Sequence, residues 1–194
     1  MDANIFFSIA LAIGLAAACG FRVFLPLFTV SLLSYMEVDL FGLTEQFNWI
    51  GSFPALVTFG GASLLELAAY YIPYIDNLLD SIAIPLAALA GTIISMSTLV
   101  ELEPVAQWAI ALIAGGGVAG LIKGAGAATR LASTATTGGV ANPVVSTVET
   151  GASLLMILLA IFIPVVAIVV LILLVYFILK KVGKYRKKAI DQNA

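Results

Sequence analysis

The stretch ASLLMILLAIFIPVVAIVVLILLVYFILKKVGKYRKK, residues 152–188, decides the class of this protein. Its first part, from Ala152 to Leu179, is almost entirely apolar and is longer than the roughly 20 residues that cross the hydrocarbon core of a bilayer. The basic segment that follows holds six of the nine basic residues of the chain. An apolar run that ends in such a cluster is typical of a transmembrane helix whose end stays in the cytoplasm.

The composition of the whole chain agrees with this interpretation. The sequence is 62% hydrophobic and 10% charged, with a mean hydropathy of +1.13, which leaves too little polar surface to cover a water-soluble globule. We therefore predict an integral membrane protein of a bacterial inner membrane. We expect it to contact the lipid bilayer and not to bind nucleic acid. We expect one transmembrane domain, residues 1–179, and a basic cytoplasmic tail, residues 180–194.

Two residue counts narrow the chemistry that is expected. The chain has no histidine and a single cysteine, Cys19, which argues against zinc hydrolase, haem and histidine-based triad mechanisms and excludes an intrachain disulfide. The N-terminal stretch MDANIFFSIA lacks the basic region and the cleavage pattern of a secretory signal. We therefore expect the first apolar run to be a retained span.

The apolar runs predict an all-α polytopic fold with about five transmembrane helices. The spans are expected at about residues 4–20, 49–72, 81–100, 105–122 and 152–179. Residues 21–36 and 123–149 each contain an arginine and, further along the segment, a proline. We expect both segments to be re-entrant or half-helical. This order suggests an inverted repeat, in which the Arg22 segment matches the Arg130 segment. Counting back from a cytoplasmic C-terminus places the N-terminus outside.

The second of these segments contains TRLASTATTGGVANPVV, residues 129–145, with five hydroxyl side chains and two adjacent glycines. Asn142 suits an N-cap and Pro143 a first helical position, so a short helix is expected from Pro143 towards Glu149. The residues before it would form an irregular loop that either lines a pore or lies outside the membrane. In the pore interpretation, the residues that bind the ion or solute are Arg130, Ser133, Thr134, Thr137 and Asn142.

Three carboxylates in LELAAYYIPYIDNLLD, residues 65–80, form a second candidate site. Glu66 lies within a span, where an ionised group is costly and usually functional. Asp76 and Asp80 share one helix face if a helix begins near Asp76. Together the three suit a divalent cation, the candidate cofactor, or a proton relay. The alternative is that Asp76 only caps the third span, while the other two acids pair with basic residues of the membrane segments.

Three basic residues lie among the apolar runs and are the candidate partners for these acids: Arg22, Lys123 and Arg130. Arg22 has two interpretations. Its long side chain either snorkels to the inner surface or pairs with an acid across the bundle, for which Glu66 is the best candidate. In the second case both charges would be neutralised within the membrane.

A run of small residues predicts close helix packing. Gly116, Gly120 and Gly124 recur at four-residue spacing and leave one helix face open to another backbone. Ala10, Gly14 and Ala18 repeat the pattern more weakly in the first span. We expect the glycine contact to join subunits of a homo-oligomer, with a contact inside the chain as the alternative.

Four motifs, GFRVFLPLF, WIGSFPAL, LELAAYYIPYIDNLLD and TRLASTATTGGVANPVVS, occur in this order along nearly the whole chain. Together they resemble a family of small membrane proteins of bacteria and plants, domain of unknown function 4126. The resemblance implies no activity. It does imply that the family's characteristic positions include Arg22, Pro26, Glu66, Asp76, Asp80, Arg130, Asn142 and Pro143.

The buried acids and the polar segment favour a transporter or channel for a small ion or polar solute. Glu66, Asp76 and Asp80 would bind a cation or proton, while Arg22 and Arg130 balance the charge. One alternative is an intramembrane enzyme that acts on a lipid phosphate, with magnesium on the carboxylates and Arg130 on the phosphate. Another is a scaffold without transport or catalysis.

Overall fold

The structure is a computed structural model that describes residues 3–38, 42–72, 75–99 and 102–192, and all of their side chains except those of residues 3, 4, 76, 77 and 184–192. All regular structure in these ranges is helical. The helices are α1 (Ala3–Phe21), α2 (Phe24–Tyr35), α3 (Phe53–Ala69), α4 (Ile75–Thr98), α5 (Pro104–Ile110), α6 (Gly117–Thr137), α7 (Asn142–Phe162) and α8 (Pro164–Gln192). A 3₁₀-helix (Glu45–Gly51) precedes α3, and a π-helix (Ala111–Gly116) joins α5 to α6.

Four segments of the described chain are long and apolar enough to cross a membrane: Leu78–Thr98, Pro104–Thr137, Asn142–Phe162 and Pro164–Gly183. A fifth candidate is the 3₁₀-helix taken with α3, which are bent by 65° relative to each other. Only 11% of the α8 segment is buried, so most of this helix is available to lipid. The predicted all-α polytopic membrane fold is confirmed, whereas the side of each terminus stays a prediction.

Helix α1 lies at the centre of the bundle because its small side chains let other helices approach. It packs against α4, α6, α7 and α8, and its residues 15–19 are fully buried. A Cβ atom on Gly14 would lie 2.8 Å from Cβ of Ala160. The weak small-residue pattern of the first span therefore does mark a tight contact.

The expected span at 152–179 is wrong, because the apolar run is divided in two. Helix α7 ends at Phe162, and α8 begins with Pro164. A proline has no N–H to continue the helix, and it disfavours helical backbone at the residue before it. The same Gly14 position lies close to both Ala160 and Ala167, although a straight helix separates residues seven apart by about 10.5 Å. The chain therefore bends sharply at this break.

The expected irregular loop from Ser133 to Asn142 is also wrong. Helix α6 continues to Thr137, and the connection to α7 is only a turn in which Gly138 has φ 64° and Gly139 has φ 88°. Both conformations are easily adopted by glycine. Two of the hydroxyl groups that suggested a polar lining, those of Thr136 and Thr137, donate to carbonyls of their own helix, the second to Ser133 at 2.8 Å.

The short helix expected from Pro143 to Glu149 is instead the beginning of a full-length helix. Ala141 occupies the N-cap position, and Asn142 is the first residue of α7. The Asn142 amide donates to Oγ1 of Thr134 at 3.0 Å, so it joins the end of α6 to the start of α7. The first polar segment was predicted better, since α2 is a separate short helix within residues 21–36. The inverted repeat stays a prediction.

The glycine contact lies within the chain. A Cβ on Gly116 would be 3.0 Å from the carbonyl oxygen of Ala88 in α4. The contact loosens along α6, since a Cβ on Gly120 would be 3.6 Å from its nearest atom and a Cβ on Gly124 would be 4.0 Å from its nearest atom. Close helix packing is thus confirmed, but α4 occupies the glycine face, and the homo-oligomer stays a prediction without this support.

Candidate functional site

Tyr70, at the end of α3, is the centre of a buried cluster of charges. Its side chain is 2% exposed, and Cζ of Arg22 and of Arg130 lie 4.6 and 4.5 Å from the ring centroid. The ammonium nitrogen of Lys123 is 5.2 Å from the same centroid. Each distance is within the range of a cation–π interaction, worth about 0.5–2 kcal/mol. One aromatic ring therefore contacts three cations that arise from distant parts of the sequence.

Arg130 on α6 is the most completely paired of these cations. Its Nε and Nη2 atoms donate to the two carboxylate oxygens of Asp80 on α4 at 2.7 and 2.6 Å. Its Nη1 atom donates to Oε2 of Glu149 on α7. The hydroxyl group of Tyr70 donates to the same Asp80 at 3.2 Å. The planar guanidinium fork suits such bidentate pairing and ties three helices together.

Glu66 on α3 has a different set of partners. Its two oxygens accept the backbone N–H groups of Val23 and Phe24 at 2.9 and 3.0 Å. These groups begin α2, so a carboxylate from another helix caps it, where the helix dipole favours a negative charge. Lys123 lies 3.9 Å from Oε1 of Glu66 and donates to the carbonyl of Phe21 at 2.8 Å. Glu66 and Lys123 together fix the junction between α1 and α2.

Arg22 is fully buried, so the interpretation in which it snorkels to the surface is wrong. It donates to the carbonyl of Ser146 at 2.7 Å and to the hydroxyl of Thr150 at 3.0 Å, both on α7. The direct pair with Glu66 does not form, because Lys123 is the cation beside that carboxylate. Among the described residues, Nη1 of Arg22 has no hydrogen-bond partner.

The Tyr70 cluster, as we call it, comprises Tyr70, Arg22, Lys123, Arg130, Glu66, Asp80 and Glu149. Its three cations are fully buried, and its three carboxylates are 7–8% exposed. If all six groups are ionised, their charges cancel. Of its charged residues, Lys123, Arg130, Asp80 and Glu149 lie on candidate membrane spans, and Glu66 lies on α3, the longer helix of the bent pair. Mutual neutralisation is thus the physical condition that lets the bundle hold them.

The structure places the remaining candidate residues as follows. Thr134, Thr137 and Asn142 hold the turn between α6 and α7, where the hydroxyl of Thr137 accepts the N–H of Ala141 at 3.3 Å. The hydroxyl group of Ser133 is buried and without a hydrogen-bond partner in the described part of the chain. The helical turn that contains Asp76 is described, but its side chain is not.

The predicted metal trio of Glu66, Asp76 and Asp80 is only partly described. Among the described residues, no three histidine, cysteine or acidic side chains converge as metal ligands would. Glu66 and Asp80 instead have Lys123 and Arg130 beside them. The metal site stays a prediction.

Tyr70 and Glu149 belong to the site but were not predicted from the sequence, and Lys123 was predicted only as a partner for acids. Glu149 did carry a signal, because it is an acid within a long apolar helix. This signal was overlooked because Glu149 was expected at the end of a short helix, outside the span at residues 152–179. No local pattern marks Tyr70, since its role depends on cations from α6 and from the junction of α1 and α2.

A cavity of about 300 Å³ adjoins the Tyr70 cluster. It lies between the start of α2, the second half of α3 and the first half of α4. Most of its lining is apolar, with Ala62, Leu65 and Ile82 among the contributing residues. Its two lining residues with polar side chains are Glu66 and Tyr70. The Tyr70 cluster therefore contributes one acidic residue, Glu66, to the lining of an accessible space.

The chain is thus a polytopic, all-α integral membrane protein with a charge-balanced cluster buried among its spans. It belongs to the family described as domain of unknown function (DUF4126), whose model matches residues 9–184. The resemblance seen in the four sequence motifs is thereby confirmed. No curated protein and no solved structure matches the chain.

Proposed function

We propose that this protein is a membrane transporter for a small ion or polar solute, in which Glu66 is the ion-binding carboxylate. The observation that carries the proposal is that Glu66 belongs to the buried Tyr70 cluster and also lines the cavity between α3 and α4. A carboxylate in such a position is costly to bury and is reached from outside without unfolding the bundle. These two properties are what an intramembrane ion site requires.

The distances within the cluster favour Glu66 as the exchangeable member. Arg130 holds Asp80 at 2.6 and 2.7 Å, which is the geometry of a strong, charge-assisted pair. Lys123 is 3.9 Å from Glu66, beyond direct hydrogen-bond distance. An arriving proton or cation would compete with Lys123 for Glu66 at lower cost than with Arg130 for Asp80. In this proposal the ion pairs of Arg130 stay intact during transport, and the Glu66–Lys123 pair opens to bind the ion.

The fold supports a transporter better than a channel. The proposed pore lining between Ser133 and Asn142 is largely helix and tight turn, and two of its hydroxyl groups, those of Thr136 and Thr137, donate to carbonyls of the same helix. No continuous polar path is needed if the bundle exposes Glu66 to the two sides in turn, as alternating access does. We further place the protein in a bacterial inner membrane, with the basic segment 180–188 in the cytoplasm.

Reconstitution into proteoliposomes with an enclosed pH-sensitive dye tests the proposal. Wild-type protein should dissipate an imposed pH gradient, or do so when a cation is added, and Glu66→Gln should abolish this flux. Glu45→Gln is the matched control, because Glu45 is exposed in the 3₁₀-helix and lies outside the cluster. Circular dichroism and size-exclusion chromatography should show that both variants remain folded.

Two outcomes would contradict the proposal. One is a wild-type flux equal to that of empty liposomes for protons, Na⁺ and K⁺. The other is a folded Glu66→Gln variant with undiminished flux. Either result would favour the scaffold interpretation, in which Glu66 serves only to cap α2.

A further inference from the structure

We infer that the cavity between α3 and α4 binds a small organic cation with an apolar body, and that Glu66 is its counter-ion. This inference rests on the proposed function, because it names the class of solute that the same site would take. It depends on where the cavity opens, on what lines it and on which charges are kept away from it.

The cavity opens towards the bilayer. Three of its lining residues, Leu65, Ile82 and Leu86, are exposed on the surface of the bundle, at 72%, 53% and 37%. Ile82 and Leu86 also lie within the candidate span Leu78–Thr98, so this surface is at the depth of the hydrocarbon. Helix α3 packs chiefly against α2 and leaves the gap towards α4. A ligand would therefore enter laterally from the lipid, which requires an apolar body.

The charge that lines the cavity selects the ligand's charge. Glu66 is the charged side chain of the lining, and none of the three cations of the cluster lines it in the described part of the chain. An anionic headgroup would meet a carboxylate with no compensating cation at the wall. A neutral acyl chain would leave Glu66 unused. A cation, by contrast, gains an ion pair in a water-poor site where electrostatic attraction is strong.

The partners of Glu66 leave it able to accept a second cation. Its two backbone contacts, with Val23 and Phe24, come from neutral N–H groups, and Lys123 remains 3.9 Å away. The faces of the Tyr70 ring are already approached by Arg22 and Arg130. The attraction on a bound cation therefore comes from the carboxylate, and the apolar wall supplies the contact area for its body.

Tetraphenylphosphonium and tetraphenylborate provide a matched pair of probes, because they share a shape and carry opposite charges. Equilibrium dialysis against the full chain in neutral detergent micelles, corrected for protein-free micelles, measures the binding of each. Wild-type protein should bind the phosphonium at least about tenfold more tightly than the borate, a difference of about 1.4 kcal/mol. Glu66→Gln should remove that preference.

Two further variants, which leave Glu66 unchanged, test the inference if Glu66→Gln fails to fold. Ala62→Leu narrows the cavity without altering Glu66, and it should weaken phosphonium binding at least about tenfold. Ala68→Leu makes the same change on an exposed part of α3 that does not line the cavity, and it should bind like the wild type. Equal binding of the two probes by the wild type, or equal phosphonium binding by the two leucine variants, would overturn the inference.

The two proposals fail separately. Proton or cation flux in proteoliposomes without phosphonium binding would overturn the organic-cation site and leave the transporter intact. Phosphonium binding that responds to Ala62→Leu but accompanies no flux of any cation, the phosphonium included, would support the site and overturn transport.

Discussion

At the scale of single residues, the central question is how a membrane bundle holds six ionisable side chains. Each isolated charge at the centre of a span costs about 2.5–3.5 kcal/mol on insertion scales, so unpaired burial of all six is excluded. The structure meets this cost with ion pairs, backbone donors and one shared aromatic ring. Among the three cations, Arg130 contributes most to neutralising the buried charges, because it pairs with two carboxylates at once.

The first prediction concerns the unequal roles of the two arginines. Both changes remove a contact with the Tyr70 ring. Arg130→Met also strands Asp80 and Glu149, whereas the hydrogen bonds lost in Arg22→Met go only to a carbonyl and a hydroxyl. We expect Arg130→Met to lower the free energy of unfolding by about 3–5 kcal/mol, the usual cost of removing one partner from a buried pair. Arg22→Met should cost less. Denaturation in mixed detergent micelles measures both.

A double variant checks the cause of that loss. Adding Asp80→Asn to Arg130→Met removes one stranded charge, so part of the stability should return. Additive losses in the double variant would mean that Arg130 and Asp80 are not energetically coupled, contrary to their two hydrogen bonds.

The second prediction separates the ring of Tyr70 from its hydroxyl group. Tyr70→Phe loses the bond to Asp80 and should cost about 0.5–1.5 kcal/mol of unfolding free energy. Tyr70→Leu also loses the ring that contacts Arg22, Lys123 and Arg130, and it should cost clearly more. Thermal unfolding in detergent compares the two. Equal losses would show that the ring itself contributes nothing to holding the cations.

At the scale of helices, contacts between elements decide where helices end and how closely they approach. Helix α2 begins where the carboxylate of Glu66 on α3 accepts hydrogen bonds from the first N–H groups of α2. The π-helix and α6 approach α4 closely because glycines line both sides, so that a Cβ on Gly91 would lie 2.8 Å from the carbonyl oxygen of Gly115. Further along α6, where the contact with α4 is looser, Lys123 and Arg130 reach the cluster.

The third prediction tests this close contact. Gly115→Ala places a methyl group 2.8 Å from the carbonyl oxygen of Gly91, which is backbone and has little freedom to move. We expect a loss of about 1–3 kcal/mol in unfolding free energy from overpacking. Gly61→Ala is the matched control, since its Cβ would meet no atom within 4 Å. The control should gain about 0.5–1 kcal/mol from helix propensity, and a gain in both variants would contradict the packing described for α4.

At the scale of the whole molecule, the bundle separates two tasks. Helix α1 provides a small-residue centre against which four other helices pack. The Tyr70 cluster lies beside it and connects the α1–α2 junction with α3, α4, α6 and α7 through charged groups. Helix α8 remains mostly exposed to lipid. Beside the cavity, both α2 and α3 pack only sparsely against α4.

The fourth prediction concerns the orientation of the molecule. The basic segment 180–188 should hold the end of α8 in the cytoplasm, because loops rich in lysine and arginine resist translocation. A green fluorescent protein fused after residue 194 should fluoresce, and alkaline phosphatase fused at the same point should be inactive. The reverse pattern would place the tail outside and contradict this orientation.

The sequence alone identified the elements whose signals are local. Hydropathy depends on residue type within a short window, so it gave the membrane class, the span of α4 and the separate helix α2. It also singled out Arg22, Glu66, Asp80 and Arg130, because a charge among apolar residues is conspicuous whatever its partner. The break before Pro164 was missed because apolar residues continue on both sides of it.

The ion-pair partners of these charged residues could not be predicted from the sequence, because they depend on which helix faces meet. Asp80 and Arg130 are 50 residues apart and meet because α4 and α6 pack side by side. Lys123 rather than Arg22 stands beside Glu66 because α6 brings it to the junction of α1 and α2. The sequence therefore determined that this chain lies in a membrane and buries charge. Only the tertiary structure decided which charges neutralise one another, since ion pairing acts across space between residues that no local pattern connects.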